Sequence, residues 1–172
     1  MLGVAAVALV LLVGHPTDRQ PSAVTAGVRA KVDYVSLKFA NERKPQIRIW
    51  RNDRLVTREL IDAAPKQADD PDAVIPLGVT ARDLDRDGEP EVMVSLSSGG
   101  AYCCTWWRVY SFRGSRYVPQ LRWWGDINAV PTLRDLDGDK RLELVSVDDR
   151  FSRLAPHASA AYPLQVWRYR RG

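Results

Sequence analysis

Residues 82–94 read RDLDRDGEPEVMV, and residues 134–147 read RDLDGDKRLELVSV. In both, three aspartates alternate with other residues, a glutamate stands four positions after the third aspartate, and a short apolar run follows. An apolar run of this length, bounded by turn-forming residues, reads as a β-strand. The unit is therefore an acidic loop feeding a strand, written twice and 52 residues apart. Thr80 and Thr132, Arg82 and Arg134, and Leu84 and Leu136 extend the match. Self-similarity at such a period signals a repeated structural unit.

The residues around these two stretches carry the same period-two signature. Val35, Leu37 and Phe39 alternate with polar neighbours, as do Ile47 and Ile49. Arg51 to Arg54 reads as a turn leading to a strand over Leu55–Leu60. Asp62–Ala73 reads as a surface loop, and Val74–Thr80 as the strand before the first acidic loop. Val92–Leu96 follows that loop. Thr105–Phe112 and Tyr117–Trp124 form an aromatic-rich pair joined at Arg113–Arg116, and Leu142–Val147 follows the second acidic loop. A loop over Asp148–Ala161 precedes a last strand over Tyr162–Tyr169. No stretch sustains a helical period. The expectation is an all-β fold of short antiparallel strands in propeller-blade-like or sandwich sheets.

A chain of 172 residues suits one domain and is long enough to bury a core without disulfides. Its 45% apolar and 27% charged content is that of an ordinary soluble protein. The net charge of +4 is modest and demands no nucleic-acid partner. Arg168, Arg170 and Arg171 read as a solvated tail. The N-terminus differs. Leu2–Val13 is an unbroken apolar run, too short to span a bilayer but of the length of a secretory signal's apolar region. No basic residues precede it, and Val24-Thr25-Ala26 offers small residues for a peptidase. Residues 1–26 are read as a leader and 27–172 as a single β-repeat domain, placing the protein outside the cytoplasm. Membrane contact is expected only through an uncleaved leader.

The acidic loops suit a hard divalent cation. Calcium takes six to eight oxygens, and carboxylates at alternate loop positions can converge on one centre. Loop 83–91 offers Asp83, Asp85, Asp87, the carbonyl of Glu89, and Glu91; loop 135–143 offers Asp135, Asp137, Asp139, the carbonyl of Arg141, and Glu143. Gly88 allows a sharp turn in the first loop, whereas Lys140 holds that place in the second, so the first site is expected to be the stronger. An EF-hand is excluded by the β-like flanks and by Val94 and Ser146 at position twelve. A metal-free reading as two acidic turns has turn propensity in its favour. Against it stand the double agreement in register and the mutual repulsion of the carboxylates.

These loops, with "SGGAYCC", "VSVDDRF" and "YPLQVWRY", resemble FG-GAP and VCBS-type repeats, which occur in integrin α-subunit propellers and in many exported bacterial proteins. The resemblance covers about residues 75 to 170 and implies two calcium sites and propeller-like sheets. A propeller needs about four blades, and only two loops are legible. A fragment, an assembly or an open sandwich remain as alternatives.

Cys103 and Cys104 are adjacent and are the only cysteines. A vicinal disulfide, two free thiols and an interchain bond are the options; zinc lacks companion ligands. His15 and His157 suggest no catalytic triad. Trp106-Trp107 and Trp123-Trp124 are each expected to split between two layers, because adjacent strand residues face opposite ways. Trp50 and Trp167 are expected in the core. The functional expectation is a non-enzymatic, exported calcium-binding module that contacts a protein or a glycan. The alternative is an exported metal-dependent hydrolase, or an accessory to one, using Asp148 or Asp149.

Overall fold

The structure is a computed structural model that describes residues 22–36, 43–70, 72–100, 102–126, 129–154 and 159–170. It is all-β, with three antiparallel sheets that each follow chain order. The first sheet is β1 (Ser22–Thr25), β2 (Val28–Ser36), β3 (Arg43–Arg51) and β4 (Arg54–Leu60). The second is β5 (Ile75–Arg82), β6 (Glu91–Ser97), β7 (Thr105–Arg113) and β8 (Arg116–Gly125). The third is β9 (Thr132–Arg134), β10 (Glu143–Val147) and β11 (Leu164–Arg168). Most of the strands read from the sequence are present. β1 and the three-residue β9 are too short to show a period, and the segment after β10 contains a 3-10 helix, Asp149–Leu154, rather than loop alone. The leader boundary at Ala26 falls in the β1–β2 turn, and Ser22–Thr25 pairs with Val28–Lys31. The apolar run 2–13, His15, Leu37, Phe39 and His157 lie outside the described residues. No helix among the described residues is long and apolar enough to cross a membrane.

The second sheet is the middle layer, and β6 shows why. Its sequence EVMVSLS is apolar at both even and odd positions, so both faces need cover. Val92, Val94 and Leu96 join Trp106, Tyr110 and Tyr117 in a core shared with Val28, Ala30, Val32, Ile47 and Ile49 of the first sheet. Met93, Trp107 and Val109 face the other way, packing with Leu84, Leu144 and Tyr169. Full burial of each large apolar side chain contributes about 1.5–3 kcal/mol, so a doubly covered strand such as β6 anchors both cores. The paired tryptophans divide as expected: Trp106 is in the first core with Trp123 against it, and Trp107 in the second with Trp124 against it. Trp50 and Trp167 do not enter the core. Trp50 lies on the outer face of the first sheet beneath Arg29, and Trp167 is 54% exposed.

The layers are also tied by polar contacts. Thr57 of β4 accepts a hydrogen bond from the Tyr117 amide at 2.8 Å, and Arg108 of β7 pairs with Glu59 of β4. Because each sheet is a meander, its first-to-second and third-to-fourth connections lie at one end. Arg51 bonds Glu89 across the first two sheets, and Arg86 donates to the Asp139 carbonyl at 2.8 Å across the last two. Both acidic loops therefore share one rim of the stack.

The opposite rim carries the cysteine pair. Cys103 and Cys104 are joined by a vicinal disulfide, one of the options left open by the sequence. Ser98 accepts the Cys104 amide at 3.0 Å and donates to Asp69 at 2.6 Å. A side chain at Gly100 would meet the Cys103 carbonyl at 2.2 Å, so only glycine fits there. Asp69 and both cysteines offer ligand atoms within 4.8 Å of one another, although both sulfurs are engaged in the disulfide.

Candidate metal loops

Each acidic loop joins the first and second strands of its sheet, and the two close in the same way. Glu91, the first residue of β6, accepts the Leu84 amide at 3.0 Å; Glu143, the first of β10, accepts the Leu136 amide at 3.0 Å. Asp83 accepts the Gly88 amide at 2.9 Å, and Asp135 accepts the Lys140 amide at 3.0 Å, five residues on in both cases. Asp85 and Asp137 each accept an amide two residues on at 3.2 Å. Asp87 accepts the Glu89 amide at 2.8 Å, and Asp139 accepts the Arg141 amide at 2.7 Å. These bonds fix the orientation of the aspartates within each loop.

Three carboxylates converge in each loop. Oxygens of Asp83, Asp85 and Glu91 lie within 4.8 Å of one another, as do those of Asp135, Asp137 and Glu143. Asp87 and Asp139 lie outside these triads. The Glu89 side chain turns away, accepting Arg51 at 2.8 Å and the Tyr117 hydroxyl at 2.7 Å. Its side chain is therefore engaged away from the triad. The Arg141 amide donates to Asp139 at 2.7 Å.

The strain argument for ranking the loops does not hold. Positions four and six take positive φ in both: Arg86 at 63° and Gly88 at 88°, Gly138 at 77° and Lys140 at 67°. Each loop thus has one glycine and one residue with a side chain in the left-handed region. What separates the loops is Arg168. On β11 it stands opposite Glu143. It donates to Glu143 at 2.9 Å and to Asp137 at 2.8 Å, and lies 3.4 Å from Asp139. Far from a solvated tail, it is the cation of the second loop. It holds Asp137 below the ordinary aspartate range; the Leu136 amide, then Arg168, does the same for Glu143. In the middle sheet the β6–β7 register, carried one residue past Val92 and Tyr110, brings the neutral Ser111 to the corresponding place. Ser111 bonds the Tyr169 hydroxyl.

The triad of the first loop, unlike that of the second, has no guanidinium bonded to it among the described residues. Among the described residues, Asp83, Asp85 and Glu91 take part in no ion pair. Glu91 is 1% exposed. Burial pushes its carboxyl up to about 7; Asp85, Asp87 and Asp83 add to the rise, and the Leu84 amide opposes it. The Asp83 Oδ1 is buried with no hydrogen-bond partner. A buried, unpartnered oxygen beside a buried carboxyl and a third carboxylate fits a hard cation, because every donor is an oxygen.

Asp148 and Asp149 are placed elsewhere. They follow β10, whereas the second loop precedes it, so five residues at about 3.4 Å each separate them from the triad. Asp148 is bound by Arg150 at 2.8 Å, which keeps its carboxyl below the ordinary range. It cannot act beside a cation in that loop.

No family model matches the chain, and no solved structure matches it. The chain is similar to an uncharacterized protein of Sinorhizobium fredii, 28% identical over 154 residues, which cover 86% of this chain and 23% of that protein. It is also similar to a probable thylakoid lumen protein of Synechocystis, 34% identical over 93 residues, which cover 52% of this chain and 27% of that protein. The chain thus spans about a quarter of the length of these relatives.

Proposed function

We propose that this chain is an extracytoplasmic calcium-binding β-repeat module of the FG-GAP or VCBS kind, a non-enzymatic surface for a protein or glycan. The observation that carries the reading is the first loop, where Asp83, Asp85 and Glu91 converge with no cationic partner among the described residues. Bound calcium would supply the missing positive charge and tie the loop to β6, making binding energy into folding energy. The second loop takes calcium more weakly, because the ion must displace Arg168. Support for a place outside the cytoplasm comes from the apolar run Leu2–Val13 and from the relative named a thylakoid lumen protein.

The test is a thermal melt in chelator followed by a calcium titration. A saturating rise in melting temperature is the expected result. No rise would leave the acidic phrases as ordinary turns.

A further inference from the structure

The outer face of the first sheet carries charge that its own packing does not explain. With Val28, Ala30, Val32, Ile47 and Ile49 turned into the core, the alternate residues face solvent. Lys31 stands directly opposite Arg48, and Arg48 directly opposite Arg58, so three cations form one row across β2, β3 and β4. Like charges in directly opposed positions destabilise a sheet. Arg29, in the next row, extends the patch. Asp33 is the carboxylate among them; it pairs with Lys31 at 2.7 Å and with Arg48. Four cations against one carboxylate leave the face strongly positive. Arg58 is exposed and forms no ion pair among the described residues.

We infer that this face binds an acidic polysaccharide. The inference deepens the reading of the chain as a binding module by naming its partner, and it is independent of the loops. Lys31, Arg48 and Arg58 stand on three adjacent strands, about 4.8 Å apart, so their charges gather in one band across the sheet. The guanidinium of Arg29 lies 4.0 Å from the Trp50 ring centre and that of Arg48 lies 5.3 Å from it. Stacking holds both groups in place before any ligand arrives, which lowers the entropy cost of binding. It also covers Trp50, the aromatic side chain of the patch, so nucleic-acid bases have no open platform to stack on.

The experiment is calorimetric titration of the chain with polygalacturonate oligosaccharides in chelator at low and moderate salt. Neutral dextran, single-stranded DNA and phosphatidylserine vesicles are run alongside. Polygalacturonate is expected to bind, more weakly as salt rises, and dextran is expected not to bind. Lys31→Glu with Arg58→Glu should weaken binding by roughly tenfold or more with calcium-dependent melting unchanged. Lys31→Gln with Arg58→Gln, which adds no repulsion, should give a smaller loss in the same direction. Absence of polygalacturonate binding, equal affinity in wild type and both double variants, or tighter binding to DNA or vesicles would each overturn the inference. Because calcium is excluded, a failure here leaves the loop reading intact. Calcium-insensitive melting with normal polysaccharide binding would fail the loop reading alone.

Discussion

Glu91→Gln isolates what the first loop needs. The change keeps the shape and an oxygen to accept the Leu84 amide, and removes the charge. In the folded protein the Glu91 carboxyl titrates at about 7, against an ordinary 4.5. A raised carboxyl means that the unfolded chain loses its proton first. Without calcium, stability contributed by Glu91 is therefore fully present below about pH 4.5 and lost as pH rises through 7. The difference is about 3 kcal/mol, or roughly 9 °C for a chain of this size. In chelator at pH 8.5 the variant should melt higher than wild type by up to that amount, and at pH 4 the two should coincide. In calcium the order should reverse. An ion at about 1,000 times its dissociation constant adds about 4.1 kcal/mol to wild type, which exceeds that difference, while the variant loses a charged ligand. Paired melts at both pH values, with chelator and with calcium, read all four conditions. A variant less stable than wild type in chelator at pH 8.5 would refute the reasoning, because Glu91 would then be stabilising as an ordinary carboxylate.

Asp85→Ala should lower the melting temperature in calcium and cost only about 1 kcal/mol in chelator, the value of its bond to the Asp87 amide; equal losses in both would make it a turn former only. Arg168→Gln should raise the calcium affinity of the second loop, seen as a second tight equivalent in calorimetry; unchanged stoichiometry and affinity would mean that Arg168 does not compete with the ion. Asp137→Ala should reduce total calcium affinity less than Asp85→Ala, and the opposite order would reverse the ranking of the loops. Ser98→Ala should destabilise by about 1–3 kcal/mol whether or not calcium is present, by stranding the buried Cys104 amide; a neutral effect in urea unfolding would show that another acceptor replaces the hydroxyl.

Much of the fold was legible because β-structure writes a local signal. Alternation at Ile47 and Ile49 and the turn at Asn52-Asp53 needed only neighbours along the chain. The adjacent tryptophans divided between two cores because successive strand residues face opposite sides. Trp50 and Trp167 escaped that logic. Which face of a sheet is covered depends on a second sheet, and the outer faces of the first and third sheets leave those rings at the surface. Arg168 was misread for the same reason. Its place opposite Glu143 follows from strand register, and no local pattern in the C-terminal residues encodes that pairing.

The sequence by itself determined the all-β class and the repeated acidic loop with its alternating carboxylates, because these depend on spacing over a few residues. Tertiary structure alone decided that both loops share one rim, that burial raises Glu91 while Arg168 neutralises its counterpart, and that the cations of the first sheet stand in a row. These features arise between strands, and electrostatic environment depends on distance through space rather than along the chain.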